Sequence, residues 1–292
     1  IPFFVTDKKR SEQALMSMVR EAFVNGVSTR KIERLAKSLG IENMSAGQVS
    51  EINKGLDEQV AQFRERKLDK TYPFIWVDAL YEKVRENGRV ISMAILVVYG
   101  VNVKGEREVL AVEPMYEEST ETWSQLFVKL KNRGLKEVCL VISDAHAGIQ
   151  KAVSQELLGT SWQRCKVHFM RNIMAHVTHK EKAKFAGQLK LIWTQPDQES
   201  ARNYAKQFML EYEKRFPDAV AILESGLDDS IMFYDYPLID KRKISSTNVL
   251  ERLNKEIRRR SRVVGIFPSR KSYIRLITSY IIEYAEDWEV ER

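Results

Sequence analysis

The chain has 292 residues, 44% of them hydrophobic and 30% charged, which suits an ordinary folded protein of two or three domains at roughly 100–200 residues each. Its two cysteines, Cys139 and Cys165, exclude a disulfide framework and fit a reducing, cytoplasmic setting, and the longest apolar run, residues 90–101, has 12 residues against the roughly 20 that cross a bilayer, which excludes a membrane span. The net charge of +7 is concentrated in residues 241–275, where 12 Lys/Arg face only Glu251 and Glu256; such a block points to a phosphate-bearing polyanion, although a solvated basic helix face has the same composition.

Residues 11–25 have helical spacing, with Leu15, Met18, Val19, Ala22 and Phe23 on one face and Gly26 as the stop. A second helix is predicted from Ser28 with the stripe Ile32, Leu35, Ala36 and Leu39 before Gly40, and a third segment opens at Ser45 with Val49, Ile52 and Leu56 apolar. This pair joined by a Gly-containing turn is helix-turn-helix-like, and its second helix would present Ser45, Gln48, Ser50 and Asn53 to DNA. Three short helices also make generic bundles.

From Tyr72 the pattern changes. Phe74-Ile75-Trp76-Val77 reads as a buried strand that stops at Asp78. Residues 90–101 and 107–115 read as antiparallel strands linked by Asn102-Val103-Lys104-Gly105. A helix follows over 120–133 with Trp123, Leu126, Phe127 and Leu130 inward, then a buried strand over 138–142 that includes Cys139, a helix over 147–158 and a strand over 162–167. This succession predicts a mixed α/β sheet with helices packed on it. Residues 169–224 carry only helical stripes, including Phe185-Leu189-Ile192 and Tyr204-Phe208-Leu210-Tyr212. Residues 231–239 read as irregular, 246–260 as a charged helix broken at Gly265-Ile266-Phe267-Pro268, and 273–286 as a last helix.

Two strands end in an aspartate, Asp78 and Asp144. Ligand sites in α/β sheets gather at strand ends, and aspartates on neighbouring strands suit hard divalent cations of the kind that serve phosphoryl transfer. Asp144 equally suits a helix cap, and Asp78 a turn.

The sequence resembles the Mutator-type transposases of bacterial insertion sequences. The resemblance covers nearly the whole chain and is carried by four motifs in order: Trp76-Val77-Asp78-Ala79-Leu80-Tyr81; Ser143-Asp144-Ala145-His146-Ala147-Gly148; Trp162-Gln163-Arg164-Cys165-Lys166-Val167-His168 running to Asn172; and Thr247-Asn248-Val249-Leu250-Glu251-Arg252-Leu253-Asn254 running into Arg258-Arg259-Arg260 and Val263-Val264-Gly265-Ile266-Phe267-Pro268. It implies a DDE triad of Asp78, Asp144 and Glu251 that is both catalytic and metal-binding. The implied fold is an RNase H-like mixed sheet with a large all-helical insertion, preceded by a small helical, helix-turn-helix-like DNA-binding part. The expected division is 1–70 for DNA binding, 71–168 and 241–292 for the two parts of the catalytic domain, and 169–240 for the insertion. The implied cofactor is Mg²⁺, with Mn²⁺ as its substitute. The implied partners are transposon terminal inverted repeats, target DNA and a second copy of the chain, in a bacterial cytoplasmic, nucleoid-associated setting. The family has further residues at its front, so the resemblance also implies a chain shortened there.

Helical spacing places Arg258 two turns from Glu251 on the same face, where it suits a phosphate; Lys255, Arg259, Arg260 and Arg262 are expected to grip phosphates around it. Glu256 lies about 140° around the helix from Glu251 and is a poor substitute. Asn248-x-x-Glu251 also fits a capping box. Cys165 and His168 form a Cys-x-x-His pair, but two ligands do not make a structural zinc site. With Asn248 they are expected to support the site or position DNA, and packing explains them as well; the role of His146 is left open by the sequence. Trp193 in the insertion suits base stacking or the core. No phosphate-cradling Gly-x-x-x-x-Gly-Lys-Ser/Thr loop is present, so no nucleotide cofactor is expected. The rival readings are an RNase H-like nuclease without strand transfer and a non-catalytic DNA-binding protein.

Overall fold

A computed structural model of the chain describes residues 2–38, 41 and 44–290. The N-terminal part holds α1 (Pro2–Val24), α2 (Thr29–Ser38), α3 (Ala46–Lys54) and α4 (Asp57–Glu65). Val19, Ile32, Ala36 and Val49 lie in its small core as the helical spacing predicts, joined by Met44, whereas Met18 and Leu35 are exposed and leave their predicted stripes; Leu39 and Gly40 lie outside the described residues. One site expectation fails here. Asn53 is buried and donates through Nδ2 to the Val49 carbonyl at 2.9 Å, so it faces the protein. Gln48 is exposed, but it closes a capping box with Ser45 through a 2.8 Å bond from the Ser45 N–H to Gln48 Oε1. The third segment also breaks at Gly55 into α3 and α4.

The central sheet contains β1 (Phe74–Glu86), β2 (Arg89–Val101), β3 (Arg107–Met115), β4 (Leu140–Ser143) and β5 (Ser161–Arg164) in the order β3-β2-β1-β4-β5. The first three strands are antiparallel, while β4 and β5 run parallel to β1 and to each other. Two hairpins set the antiparallel register. Asn102 Oδ1 accepts from the Lys104 and Glu106 N–H groups in the predicted β2–β3 turn. The β1–β2 turn is Asn87-Gly88, with φ of 48° and 78°, the left-handed pair favoured in two-residue hairpins.

This second turn corrects the sequence reading of β1. The strand does not stop at Asp78 but continues to Glu86, paired with β2 throughout, because Leu80 and Val84 keep the inward alternation despite the intervening charges. Similarly, Cys139 lies before β4 and is exposed, and the strand expected over 162–167 ends at Arg164, giving way to α7 (Lys166–Ala175).

Alternation sends Ile75, Val77, Leu96, Val98 and Val141 to one face, where α5 (Thr120–Asn132) and α6 (Ala147–Glu156) cover them with Trp123, Phe127 and Ile149. Trp76, Leu80, Val84, Ile95, Val97 and Ile142 point to the other face, against α7, α8 (Lys182–Leu191), α9 (Gln198–Tyr212), α10 (Pro217–Ser230) and the last helices. The helical stripes read from the sequence thus form helices, which pack around Phe185, whose ring meets those of Phe208, Tyr212 and Phe216 edge-on. Leu210 is exposed and leaves its predicted stripe. Trp193 is buried and donates to Ser230 Oγ at 3.0 Å, so it belongs to the core rather than to a stacking surface. Residues 232–235 form a single 3₁₀ turn.

The chain ends in α11 (Lys241–Ile244), α12 (Asn248–Val264) and α13 (Arg270–Val290). Beyond Trp76, β1 is no longer paired with β4, and α12 runs along this open side: Ser261 Oγ donates to Glu82 Oε1 at 2.5 Å. The connector after α12 completes the cover, with Phe267 exchanging backbone bonds with Lys83 and Arg85. Among the described residues, no helix is long and apolar enough to cross a membrane.

Candidate active site

The last β1–β4 pair is Trp76↔Ile142, so Asp78 stands where β1 loses its parallel neighbour, on the face that Trp76 and Leu80 share. Asp144 directly follows the end of β4. The two expected aspartates thus meet at one end of the sheet. Asp78 Oδ1 accepts from the Ala79 N–H at 2.9 Å, and Oδ2 accepts from Asn254 Nδ2 at 2.5 Å. Burial pushes the Asp78 carboxyl up to about 6; the Ala79 bond works against that rise, and the charge of Asp144 adds to it. Asp144 is not the helix cap. Its Oδ1 accepts the His146 N–H at 3.2 Å, while His146 caps α6 by accepting the Gly148 N–H through Nδ1 at 3.2 Å.

The N-terminus of α12 is fixed by a set of bonds to the sheet and to α7. Trp76 Nε1 donates to the Ser246 carbonyl at 3.0 Å. Cys165, the residue before α7, donates its N–H to the Ser143 carbonyl at 2.6 Å, and the Lys166 N–H donates to the Ser245 carbonyl at 3.0 Å. The Thr247 N–H donates to Cys165 Sγ at 3.3 Å, and Sγ also lies 3.3 Å from Thr247 Oγ1. Thr247 occupies the cap position of α12 and Asn248 is its exposed first residue. No side-chain capping bond forms there, so the Asn248–Glu251 capping box is not made.

Glu251, one turn into α12, places Oε1 at 3.3 Å from His168 Nε2 and 3.7 Å from Arg171 Nη2. His168 is held above its usual pKa by hydrogen bonding to Cys165, with burial opposing and the charges of Cys165, Glu251 and Asp78 adding. Burial pushes the Cys165 thiol up, but His168 and Thr247 outweigh it and leave it below its ordinary value. The Cys-x-x-His pair therefore links β4 to Glu251. In this arrangement Asp78 neighbours Asp144 while Glu251 is paired with His168. Among the described residues, no group of three or more His, Cys, Asp or Glu side chains is gathered closely enough to hold a metal ion.

The basic residues of α12 divide into two sets. Lys255, Arg258, Arg259 and Arg262 are exposed, and Arg259 Nε donates to Glu256 Oε1 at 2.7 Å. Arg260 departs from expectation. It is 8% exposed, its guanidinium lies 3.8 Å from the Tyr280 ring centroid, and it donates to the Val24 carbonyl. It anchors α1 to α12 and α13 instead of facing solvent, because the face of α12 that packs on α13 recurs at this position.

Two site residues carried no role in the sequence reading. Asn254, 7% exposed, shares a face with Glu251 at a spacing of three, and that spacing, with its place in the fourth motif, was its signal. Glu118 had no signal at all: it lies in a connector and approaches His146 Nδ1 at 3.6 Å.

The sequence profile of the Mutator transposase family matches residues 1–291. Over 280 residues the chain is 39% identical to the transposase for insertion sequence element ISRM5 of Rhizobium meliloti, spanning 96% of this chain and 70% of that protein. It is 40% identical over 282 residues to the transposase for IS1081 of Mycobacterium tuberculosis, spanning 96% of this chain and 68% of that protein. The corresponding identity to the transposase for IS256 in transposon Tn4001 of Staphylococcus aureus is 36% over 283 residues, with 96% and 72% spanned. Matched along its whole length by the family profile and by these relatives, the chain belongs to the Mutator family of transposases.

Proposed function

We propose that the chain is a DDE-type DNA transposase that binds transposon ends, cuts one strand by hydrolysis and joins the freed 3′-OH to another phosphodiester. The observation that carries this reading is the bond from Asn254 to Asp78: it ties the helix bearing Glu251 to the strand bearing Asp78, beside Asp144. Three antiparallel strands followed by two parallel ones, with helices on both faces, support the RNase H-like reading of the catalytic part. The N-terminal three-helix core supports a DNA-binding role for that part, with Gln48 on its exposed surface.

Asp78, Asp144 and Glu251 are the residues that would hold divalent cations, Mg²⁺ or Mn²⁺ in its place. Their fit rests on donor chemistry: carboxylate oxygens suit hard cations, Asn254 Oδ1 is buried without a hydrogen-bond partner beside Asp78, and Asp78 carries its charge at a cost that a cation would relieve. When bound, such ions supply activation of the attacking oxygen and neutralisation of the leaving one. The chain's own residues do the rest. Asn254 and the Ala79 N–H orient the Asp78 carboxylate, Cys165 and Thr247 hold the first turn of α12 against β4, and His168 Nε2 stands beside Glu251 Oε1. The exposed Lys255, Arg258, Arg259 and Arg262 grip phosphates without reading bases. Two transposon ends cut in concert call for two copies of the chain, and a homodimer on DNA follows from that chemistry.

The test is incubation of the protein with labelled transposon-end DNA with and without Mg²⁺, beside Asp78→Asn, Asp144→Asn and Glu251→Gln. Mg²⁺-dependent nicking and joining, lost in each variant while DNA binding persists, is expected. Nicking without joining would favour a nuclease, DNA binding without any cutting would favour a non-catalytic binding protein, and uncut efficiency in the variants would overturn the triad.

A further inference from the structure

The N-terminal part carries its unmatched positive charge on α2. The one carboxylate of that helix, Glu33, pairs with Lys37 at 2.9 Å, so Arg30, Lys31 and Arg34 are exposed with no counter-charge in their own helix. Arg30 and Arg34 stand one turn apart, on the face opposite the buried Ile32 and Ala36. On α3 the two charged residues, Glu51 and Lys54, cancel in a 2.6 Å ion pair, and Gln48 is spent on the Ser45 cap. The helix that a helix-turn-helix reading would set on DNA is thus the electrostatically neutral one of the two.

The turn before α2 is pressed against α12. Gly26 has a φ of 80°, and a Cβ there would lie 3.1 Å from Arg260 Cγ and 3.3 Å from Arg260 Cα, so glycine is what lets the two segments touch. Arg30 and the exposed Val263 and Ile266 then line one cleft of about 560 Å³, whose walls also hold Arg260 and Arg275 but no Asp or Glu. Those two arginines already have acidic neighbours in Glu283 and Asp57, which leaves Arg30 as the cleft's unmatched charge. Past the cleft, Arg258 and Arg262 are exposed on α12 and repeat the four-residue spacing of Arg30 and Arg34. Four helical residues rise about 6 Å, roughly two phosphate steps at about 3.4 Å per strand.

We propose that α2 and the second half of α12 form one continuous seat for the sugar-phosphate backbone of duplex DNA, in which the N-terminal part meets DNA through Arg30 and Arg34 of α2 rather than through α3. This rests on the reading of the chain as a DNA transposase whose basic helix grips phosphates. A duplex is the partner that the spacing fits: cations two phosphate steps apart, on two elements in contact, match a regular and evenly charged backbone. Because Gly26 packs on α12, DNA held by α2 runs on over Arg262 and Arg258 toward Glu251, two turns further back along that helix. Contacts of this kind set the register of the duplex on the catalytic carboxylates without reading its sequence.

The experiment measures binding of the full chain to a transposon-end duplex and to an unrelated duplex over a range of salt, with each protein's thermal melt alongside. Three double variants are compared with the parent: Arg30→Gln with Arg34→Gln on α2, Arg258→Gln with Arg262→Gln on α12, and Glu51→Gln with Lys54→Gln on α3, which keeps the net charge. Each arginine pair is expected to lower the salt slope by about two and to weaken both duplexes about tenfold at physiological salt, with an unchanged melt. The α3 variant is expected to bind as the parent does. Single methylphosphonates, which remove one phosphate charge at a time, then map the contacts. The phosphates that cease to matter in the α2 variant are expected to adjoin those that cease to matter in the α12 variant, and two runs more than a turn of duplex apart would overturn the continuous seat. Parental affinity and slope in the α2 variant beside a weakened α12 variant would overturn this inference alone, as would an equal loss of affinity in the α3 variant. Parental binding in both arginine variants, or none by the parent, would overturn the reading on which it rests. A lowered melt in the α2 variant with an unchanged salt slope would make Arg30 and Arg34 fold-stabilising residues and also overturn the proposal.

Discussion

Asn254 donates its side-chain amide to Asp78 Oδ2 at 2.5 Å across 176 positions of sequence, and this bond joins the helix of Glu251 to the strand of the first aspartate. Its strength comes from a charged acceptor in a mostly dry setting, where a charge-assisted bond is worth roughly 1.5–3 kcal/mol. Asn254→Ala is expected to lower the cleavage rate about 10- to 100-fold while leaving DNA affinity unchanged. Single-turnover cleavage beside a filter-binding titration checks this; a parallel fall in affinity would mean that the bond organises the DNA surface rather than the carboxylates.

A second expectation concerns the cost of keeping Asp78 charged. Its carboxyl is raised from 3.8 to about 6, chiefly by burial. A raised carboxyl binds its proton more tightly in the folded chain than in the unfolded one, so the stability it contributes is fully present below the unfolded value and is lost as pH rises through about 6. At roughly 1.4 kcal/mol per pH unit, ionisation costs at most ~3 kcal/mol. Asp78→Asn removes that cost but also one acceptor, a loss of about 1 kcal/mol. In chelator at pH 8 the variant is therefore expected to be about 1–2 kcal/mol more stable than the parent, and at pH 4 no more stable. Melts at the two pH values decide the matter, and a variant less stable at pH 8 would refute it.

Much of this arrangement is legible in the sequence because it follows local rules. The mixed sheet, the β2–β3 turn and the helices after β5 come from periodicity and turn residues. Asp144 could be placed because a short apolar run ends two residues before it, at Ile142. The errors share a different cause. Charged residues from Glu82 to Glu86 mask the outer half of β1, whose inward Leu80 and Val84 are paired with β2 through a turn as short as Asn87-Gly88. Asn53 and Arg260 belong to polar residue types yet are buried, because their partners, the Val49 carbonyl in one case and Tyr280 with the Val24 carbonyl in the other, are set by packing. Asn254 acquires meaning only once β1 and α12 converge.

The division of the basic helix gives a third expectation. Arg262 is exposed, whereas Arg260 is buried against Tyr280, the Val24 carbonyl and Glu283. Arg262→Ala is expected to leave the melt unchanged, weaken binding uniformly across DNA sequences and reduce the salt slope of binding by about one. Arg260→Ala leaves the Val24 carbonyl without this donor and removes the stacking on Tyr280, and a loss of ~2–4 kcal/mol in stability is expected. Denaturant unfolding and salt-dependent binding of the two variants separate the roles, and equal effects would erase the distinction.

Cys165 supplies the last expectation. It is fully buried, takes the Thr247 N–H on its sulfur and gives its own N–H to the Ser143 carbonyl, so it sits between the strand that precedes Asp144 and the turn that precedes Glu251. Cys165→Ala leaves the Thr247 N–H, itself buried, without an acceptor, which costs about 1–3 kcal/mol, and frees the first turn of α12 to shift against β4. The cleavage rate is expected to fall about 10- to 100-fold with DNA affinity intact, since the exposed cations of α12 are untouched. Cys165→Ser restores an acceptor on a shorter arm and is expected to recover part of the rate. A zinc site would behave differently: a chelator selective for zinc, applied to the parent in excess Mg²⁺, would then reproduce the Cys165→Ala defect. No effect of that chelator is expected, because the bonds that Cys165 makes are to Thr247, Ser143 and His168, and each of them survives in a chain free of zinc.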